Sequence, residues 1–147
     1  MFKEISLILI TAAIANMTPV LIKRLEIFNY AISNKYLGIN KTYRGFIFGI
    51  LAGTLTGIIL GLGWKVSFII GFSVLFGDLI GSFIKRKLNL KPGESCFPLD
   101  QLDSVILLVF FLKFSFVYSL WLILIWFLGH IVIRHIAFYL GINKEKW

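Results

Sequence analysis

Long apolar runs restrict the fold of this sequence more than any other feature. Residues 5–22, 45–62 and 66–84 are mainly apolar, and residues 104–140 form an apolar stretch of 37 positions. A helix needs roughly 20 mainly apolar residues to cross the hydrocarbon layer of a bilayer. A chain of 147 residues with a mean hydropathy of +0.90 cannot bury these runs in one soluble core. The sequence therefore predicts an all-α integral membrane protein.

The last apolar stretch is too long for one span of ordinary thickness. We predict that it divides between Lys113 and Ser119, which gives about five transmembrane helices with short connectors. One long tilted helix, with the Lys113 ammonium reaching toward the membrane surface, is the alternative. Residues 1–147 are predicted to form a single transmembrane domain.

The first run also resembles a secretory signal peptide, because Lys3 precedes it and Ala13-Ile14-Ala15 resembles a cleavage site. The apolar residues continue well past that point and end at Lys23-Arg24, as a complete span does. We therefore predict a retained first helix. Asn16 and Pro19 introduce a polar kink into it, which indicates buried partners.

Basic residues are numerous and unevenly distributed. Lys and Arg number 15 against 7 Asp and Glu, an excess that usually indicates anionic partners. With five spans, twelve of the fifteen fall on one side, which the positive-inside rule makes cytoplasmic, with the N-terminus outside and the C-terminus in the cytoplasm. We expect a cell-membrane location and no nucleic-acid partner. The twelve are Lys23, Arg24, Lys35, Lys41, Arg44, Lys85, Arg86, Lys87, Lys91, Arg134, Lys144 and Lys146.

Glycines occur at every fourth position of the second run, from Gly45 to Gly61. Helical geometry places them in one stripe, and small residues allow the close approach by which helices associate in lipid. The stripe predicts a packed neighbouring helix rather than a phosphate site. That neighbour belongs either to the same chain or to a second copy in a homodimer.

Asp78 is the most informative charged residue, because a carboxylate inside a span is expensive and seldom lacks a partner or a function. Ser82, Lys85 and Arg86 follow at i+4, i+7 and i+8, which places all four on one face of the helix. This face offers a carboxylate, a hydroxyl and two cations near the cytoplasmic surface.

Asp100 and Asp103 lie three positions apart where the fourth span begins. In a helical turn both carboxylates point the same way, and Asp78 would approach them if the third and fourth spans are neighbours. Carboxylates around a hard divalent ion are the usual way to hold Mg²⁺ on a nucleotide phosphate. A helix N-cap is the alternative role for Asp100.

Lys41, Thr42 and Arg44 open the second span, where cationic side chains and helix N–H groups converge in an arrangement suited to anions. Contact with lipid head groups is the alternative. The sequence contains no GxxxxGK[ST] loop, no zinc-ligand cluster and no plausible Ser-His-Asp set. Cys96 is interpreted as an inert thiol, and the histidines 130 and 135 as structural.

Four motifs in order along the chain resemble the CDP-archaeol synthase family. They are Asn16-Met17-Thr18-Pro19, the segment from Asn40 to Gly45, the segment from Gly77 to Arg86 and Leu99-Asp100-Gln101-Leu102-Asp103, and the ending Tyr139–Ile142 with a final Trp147 agrees. The resemblance implies a Mg²⁺-dependent enzyme that transfers a cytidylyl group from CTP to a membrane lipid phosphate, similar to the CDP-diacylglycerol synthases. The expected lipid is 2,3-bis-O-geranylgeranyl-sn-glycerol 1-phosphate, and pyrophosphate leaves.

Residue roles follow from the resemblance as expectations. Asp78, Asp100 and Asp103 would hold Mg²⁺, and Lys85 and Arg86 would act with Asp78 in catalysis on the phosphates. Substrate-binding roles are expected for Asn16, Lys41, Thr42, Arg44, Ser82 and Lys91.

Two departures bear on the lipid. The His-Gly-Gly element of the diacylglycerol enzymes has no counterpart before Asp100, which favours the archaeol branch. Gly38-Ile39-Asn40 replaces a Gly-Asp-Gly common in archaeal members. A small transporter or channel with Asp78 as its ion site is the second hypothesis, but it leaves the further aspartates and the basic connectors unexplained.

Overall fold

A computed structural model, which describes residues 2–139, contains five helices in this part of the chain. Three of them, including residues 116–133 of the last, are long and apolar enough by themselves to cross a membrane, whereas the second has 17 residues and the fourth 14. The predicted all-α membrane fold with five helices is confirmed. The helices are α1 (Phe2–Leu21), α2 (Tyr43–Ile59), α3 (Trp64–Lys87), α4 (Leu99–Leu112) and α5 (Phe116–Tyr139).

The long apolar stretch is divided as predicted. The fourth helix ends at Leu112, Lys113 adopts a left-handed conformation with φ 50°, and the fifth helix begins at Phe116. A single tilted helix is therefore wrong for this segment. The predicted end of the last span at Leu140 lies outside the described residues, as do Lys144, Lys146 and the side chain of Arg134.

Two boundaries differ from the prediction. The helix predicted from residue 66 begins two residues earlier, with Trp64 and Lys65 in the first turn of α3, because the preceding turn is made by Gly61 and Gly63, whose φ angles are +83° and +76°. Conformations with positive φ are easily adopted only by glycine. At the other site α4 begins at Leu99, so both Asp100 and Asp103 lie within its first turns.

The third helix is the centre of the bundle. It packs against α1, α2 and α4, while α5 packs along α4 and touches α1, where the rings of Phe2 and Trp121 are 5.8 Å apart. The core joins residues of α1, α3, α4 and α5, including Ala12, Val74 and Leu122, all fully buried. The polar ends of the helices surround this core.

The glycine stripe of α2 contacts other helices of the same chain. A Cβ atom added at Gly49 would lie 3.0 Å from the Ala15 carbonyl oxygen, and one at Gly53 would lie 3.2 Å from the Gly71 Cα. The neighbouring helices that pack on the stripe are therefore α1 and α3 of the same chain. Gly61 is not part of the stripe, because α2 ends at Ile59.

A second pair of glycines joins α3 to α4. A Cβ added at Gly77 would lie 2.5 Å from the Asp103 carbonyl oxygen and 2.6 Å from the Ser104 Cα, and one at Gly81 would overlap the Asp103 carboxylate. The Ser104 hydroxyl donates a hydrogen bond of 3.0 Å to the Val74 carbonyl. This close approach brings α4, with its aspartates, against the helix that carries Asp78.

Gly77→Ala is expected to lower stability by about 1–3 kcal/mol, because the added methyl meets backbone atoms that cannot move independently. Gly129→Ala is the matched control, since a Cβ there meets nothing within 4 Å and alanine favours a helix by about 0.5–1 kcal/mol. Thermal unfolding of the purified protein in one detergent measures both. Equal stability of the two variants would contradict the close packing of α3 on α4.

Candidate active site

The beginning of α2 is held in place by the connector that precedes it. The backbone of residues 28–32 pairs with that of residues 41–44, through Ile32 N–H to Lys41 O at 2.8 Å and Tyr43 N–H to Tyr30 O at 3.0 Å. Thr42 is the N-cap of α2, and its hydroxyl oxygen accepts the Gly45 N–H at 3.2 Å. A β-region N-cap with this bond is the ordinary start of a helix. Thr42 therefore has a structural role besides the predicted contact with substrate.

A cavity of about 520 Å³ lies between α1, α2, α3 and this connector. Five of the residues singled out in the sequence line it, and they come from segments far apart in the chain. Apolar side chains of α1 and α3 complete the wall. The five are Asn16, Lys41, Thr42, Arg44 and Asp78.

Arg44 is the most unusual residue of the cavity wall. Its side chain is only 3% exposed, and its Nε and Nη1 atoms are buried without a hydrogen-bond partner. A buried charge without partners is strongly unfavourable, and it is retained where another group compensates it. The planar set of donors on a guanidinium matches a phosphate group.

Asp78 forms an ion pair across the cavity. The Lys41 ammonium lies 2.5 Å from Asp78 Oδ2, and the two side chains are 24% and 32% exposed. The pair joins the start of α2 to the middle of α3. It supplies the partner that a carboxylate within a span requires.

Lys85 and Asp100 form a second ion pair, between α3 and α4. Lys85 Nζ lies 2.8 Å from Asp100 Oδ1 and donates to the Glu94 carbonyl oxygen at 3.3 Å. The other Asp100 oxygen accepts the Cys96 N–H at 3.0 Å. Asp100 therefore also stabilises the start of α4, although the N-cap position itself is occupied by Pro98.

Asp103 has a different environment from the other two aspartates. Its Oδ1 accepts the Ser104 N–H at 2.6 Å, and its Oδ2 packs against the backbone of Gly81. The negative charges of the Asp78 and Asp100 carboxylates both repel the negative charge of Asp103. Within residues 2–139 no three His, Cys, Asp or Glu side chains are close enough together to hold a metal ion. The predicted three-aspartate clamp is therefore not assembled here, and it stays a prediction.

The remaining predicted site residues lie beside the cavity rather than in its wall. Arg86 donates from Nη2 to the Lys91 carbonyl at 2.9 Å, while its Nε and Nη1 are buried without a partner. Ser82 is 4% exposed, and the Lys91 side chain is exposed. The face predicted on α3 is thus divided. Asp78 faces the cavity, whereas Lys85 and Arg86 contact the connector that follows α3.

Sequence reasoning missed some residues of the site. Lys23, Asn29 and Asn40 also line the cavity. Lys23 was counted only among the basic residues and Asn40 only within a motif, and Asn29 carried no local signal beyond its polarity. Gly77 and Gly81 seat Asp103, and their four-residue spacing was a usable signal, since the same spacing identified the stripe on α2. His135 Nδ1 lies at hydrogen-bond distance, 2.9 Å, from the Ile131 carbonyl oxygen. The centroids of the His130 and Trp126 rings are 4.8 Å apart. Both are ordinary contacts within a helix.

The fold and the site define an integral membrane protein with a buried arginine and ion-paired carboxylates within a helical bundle, an arrangement suited to an intramembrane enzyme that handles phosphate groups. Comparisons with known proteins agree. The family described as CarS-like, CDP-archaeol synthase, matches residues 60–147. The CDP-archaeol synthase of Staphylothermus marinus is 37% identical over 152 aligned positions, which cover 91% of this chain and 86% of the relative.

Two further matches are similar. The CDP-archaeol synthase of Pyrobaculum islandicum is 37% identical over 70 positions, covering 45% of this chain and 43% of the relative. A solved intramembrane enzyme for archaeal membrane lipid biosynthesis superposes with a TM-score of 0.72 at 25% identity, covering 87% of this chain and 90% of that one. The chain belongs to the CDP-archaeol synthase family. This confirms the predicted class of reaction, CTP-dependent cytidylyl transfer to an archaeal lipid phosphate for lipid biosynthesis.

Proposed function

We propose that this protein is a Mg²⁺-dependent CTP:lipid-phosphate cytidylyltransferase whose active site is the cavity around Arg44 and the two adjoining ion pairs. The lipid is 2,3-bis-O-geranylgeranyl-sn-glycerol 1-phosphate, the product is CDP-archaeol, and pyrophosphate leaves. The reaction takes place at the cytoplasmic face of the cell membrane.

The observation that carries the proposal is the buried, partly unpaired guanidinium of Arg44 in a cavity of about 520 Å³. Lys41 lies in the same wall, and the N-terminus of α2 adds the positive end of a helix dipole. A triphosphate placed here would compensate the arginine. A transporter would need a polar path but would have no use for a buried guanidinium that lacks an anion.

The carboxylates fit Mg²⁺ by their chemistry. Asp78, Asp100 and Asp103 offer only hard oxygen ligands, and two of them already bind a cationic side chain. Gly81 has no Cβ atom, so the Asp103 carboxylate has room to lie against α3, the helix that carries Asp78. These three residues would hold the ion, which when bound would neutralise charge on the triphosphate and on the departing pyrophosphate.

The reaction needs no protein base. A phosphate monoester has a second pKa of about 6 by analogy with phosphoserine, so the lipid phosphate is mostly a dianion near neutral pH. One of its oxygens attacks the α-phosphorus of CTP and forms a new oxygen–phosphorus bond. The bond between the α-phosphorus and the oxygen that bridges to the β-phosphorus breaks, and its electrons leave with pyrophosphate. Arg44 and Lys41 bind and orient one substrate, Lys85 and Arg86 neutralise charge, and Asn16 and Ser82 supply polar contacts.

Turnover with defined substrates tests the proposal. With CTP, Mg²⁺ and the geranylgeranylated lipid phosphate, the purified protein should release pyrophosphate and form a CDP-lipid, whereas glycerol 1-phosphate should not replace the lipid. A preference for diacyl phosphatidate would change the lipid and leave the reaction class. Absence of any CTP-dependent product from either lipid would reject the proposal and favour the transporter.

The proposed orientation has a separate test. By the positive-inside rule the side with twelve of the fifteen basic residues is cytoplasmic, so the N-terminus and Lys65 should lie on the external side. In a Cys96→Ser background, a cysteine in place of Lys65 should react with an impermeant maleimide from outside intact cells. Reaction only after the cells are opened would reverse the topology.

A further inference from the structure

Two of the three aspartates proposed to bind Mg²⁺ already hold an ammonium group of the chain itself. Asp78 pairs with Lys41 at 2.5 Å, and Asp100 pairs with Lys85 at 2.8 Å. The four side chains are between 15% and 32% exposed, so water screens these pairs less than it screens surface pairs. In this state the ammonium balances the charge of the carboxylate and occupies part of the lone-pair access that a divalent ion needs.

Lys41 also has a second possible partner. It lines the same cavity as Arg44, whose Nε and Nη1 are buried without a partner. A triphosphate bound to Arg44 would therefore reach the neighbourhood of the Lys41 ammonium and compete with Asp78 for it. Phosphate oxygens are strong acceptors for ammonium groups, so they can compete with the Asp78 carboxylate for Lys41.

We infer that Lys41 is an internal counter-ion that keeps divalent cations off Asp78 until a nucleoside triphosphate is bound. The inference rests on the proposed nucleotide and metal roles. The triphosphate draws the ammonium group away, and the freed carboxylate then accepts the divalent ion. Metal and nucleotide consequently bind with positive cooperativity, and Lys41 is a positioning residue that determines the order of binding.

Electrostatics makes the effect large enough to measure. A unit positive charge at about 4 Å repels a bound cation appreciably at an effective dielectric constant of about 20, and partial exposure reduces the repulsion. Removing the competing ammonium should therefore tighten binding of a divalent ion to the empty protein by at least about tenfold.

The experiment measures Mn²⁺ binding to the purified full chain by the paramagnetic resonance signal of the free ion, without lipid, so that no turnover occurs. Each titration with CTP is compared with the same titration without protein, because CTP itself binds Mn²⁺. The wild type should bind Mn²⁺ weakly alone and at least about tenfold more tightly with CTP. Lys41→Met should bind it at least about tenfold more tightly than the wild type without CTP, and should lose most of the dependence on CTP. Lys41→Met/Asp78→Asn should lose the gain.

Lys23→Met is the matched control. Lys23 lines the same cavity but forms no ion pair within residues 2–139, so this variant removes an equal charge without freeing a carboxylate. Its Mn²⁺ affinity should stay within about threefold of the wild type. Thermal unfolding checks that every variant is folded.

An equal gain in Lys23→Met, or no gain in Lys41→Met, would overturn the inference. The proposed function is tested apart from it, by stabilisation of the wild type with CTP in the presence of Mg²⁺. Absence of that stabilisation would reject the nucleotide site, whereas an unchanged Mn²⁺ affinity in Lys41→Met would reject only the counter-ion role.

Discussion

Asp78→Asn is expected to lower cytidylyl transfer by at least about a thousandfold, which is about 4 kcal/mol of transition-state stabilisation. Asparagine keeps the volume of the side chain but removes the charge that balances Lys41 across the cavity and that the proposed Mg²⁺ site requires. Pyrophosphate release at saturating CTP and lipid phosphate measures the loss. The variant should still fold, because the close contacts of α3 with α2 and α4 at Gly71, Gly77 and Gly81 are unchanged.

Asp100→Asn and Asp103→Asn should cause losses of the same order, for partly different reasons. Asp100 also bonds the Cys96 N–H, and an asparagine oxygen can retain that contact while losing the ion pair with Lys85. Cys96→Ser is the control and should leave transfer unchanged, because the thiol has no role in the proposed chemistry. Full activity of the Asp78 variant would return that residue to a structural role.

Arg44→Met is expected to affect binding and stability in opposite directions. Methionine roughly fills the apolar part of the site but offers no donor to a phosphate. The apparent affinity for CTP, measured through thermal stabilisation, should therefore fall by at least about tenfold. The empty protein should become more stable by about 1–4 kcal/mol, because a buried and partly unpaired charge is replaced by an apolar side chain. Thermal unfolding with and without CTP measures both effects.

Arg44→Lys separates charge from geometry at this position. Lysine keeps the charge but lacks the planar fork, so its CTP affinity should lie between those of the wild type and Arg44→Met. If Arg44→Met were less stable than the wild type and still bound CTP normally, the guanidinium would be a structural element. The anion site would then have to lie elsewhere.

The candidate site shows how far local sequence carries an interpretation. Asp78 could be identified because a carboxylate within a span is expensive wherever the helix lies, and Lys41 and Arg44 because they open a helix on the basic side. The comparisons support the reaction class that these motifs suggested. The partners were not predictable: Lys41 meets a residue 37 positions away, and Lys85 meets Asp100 rather than a phosphate-facing cavity.

Hydropathy and charge along the chain determined the number of helices, the break near Lys113 and the polar ends that carry the functional residues. These properties follow from the free energy of placing each segment in lipid, which depends mainly on the segment's own composition. Tertiary structure alone decided which lysine meets which aspartate, and that the glycines of α2 face α1 and α3 of the same chain. The rotation and spacing of packed helices come from the interlocking of side chains and backbones between segments far apart in the sequence, and the contacts at Gly77 and Gly81 set those distances for the site.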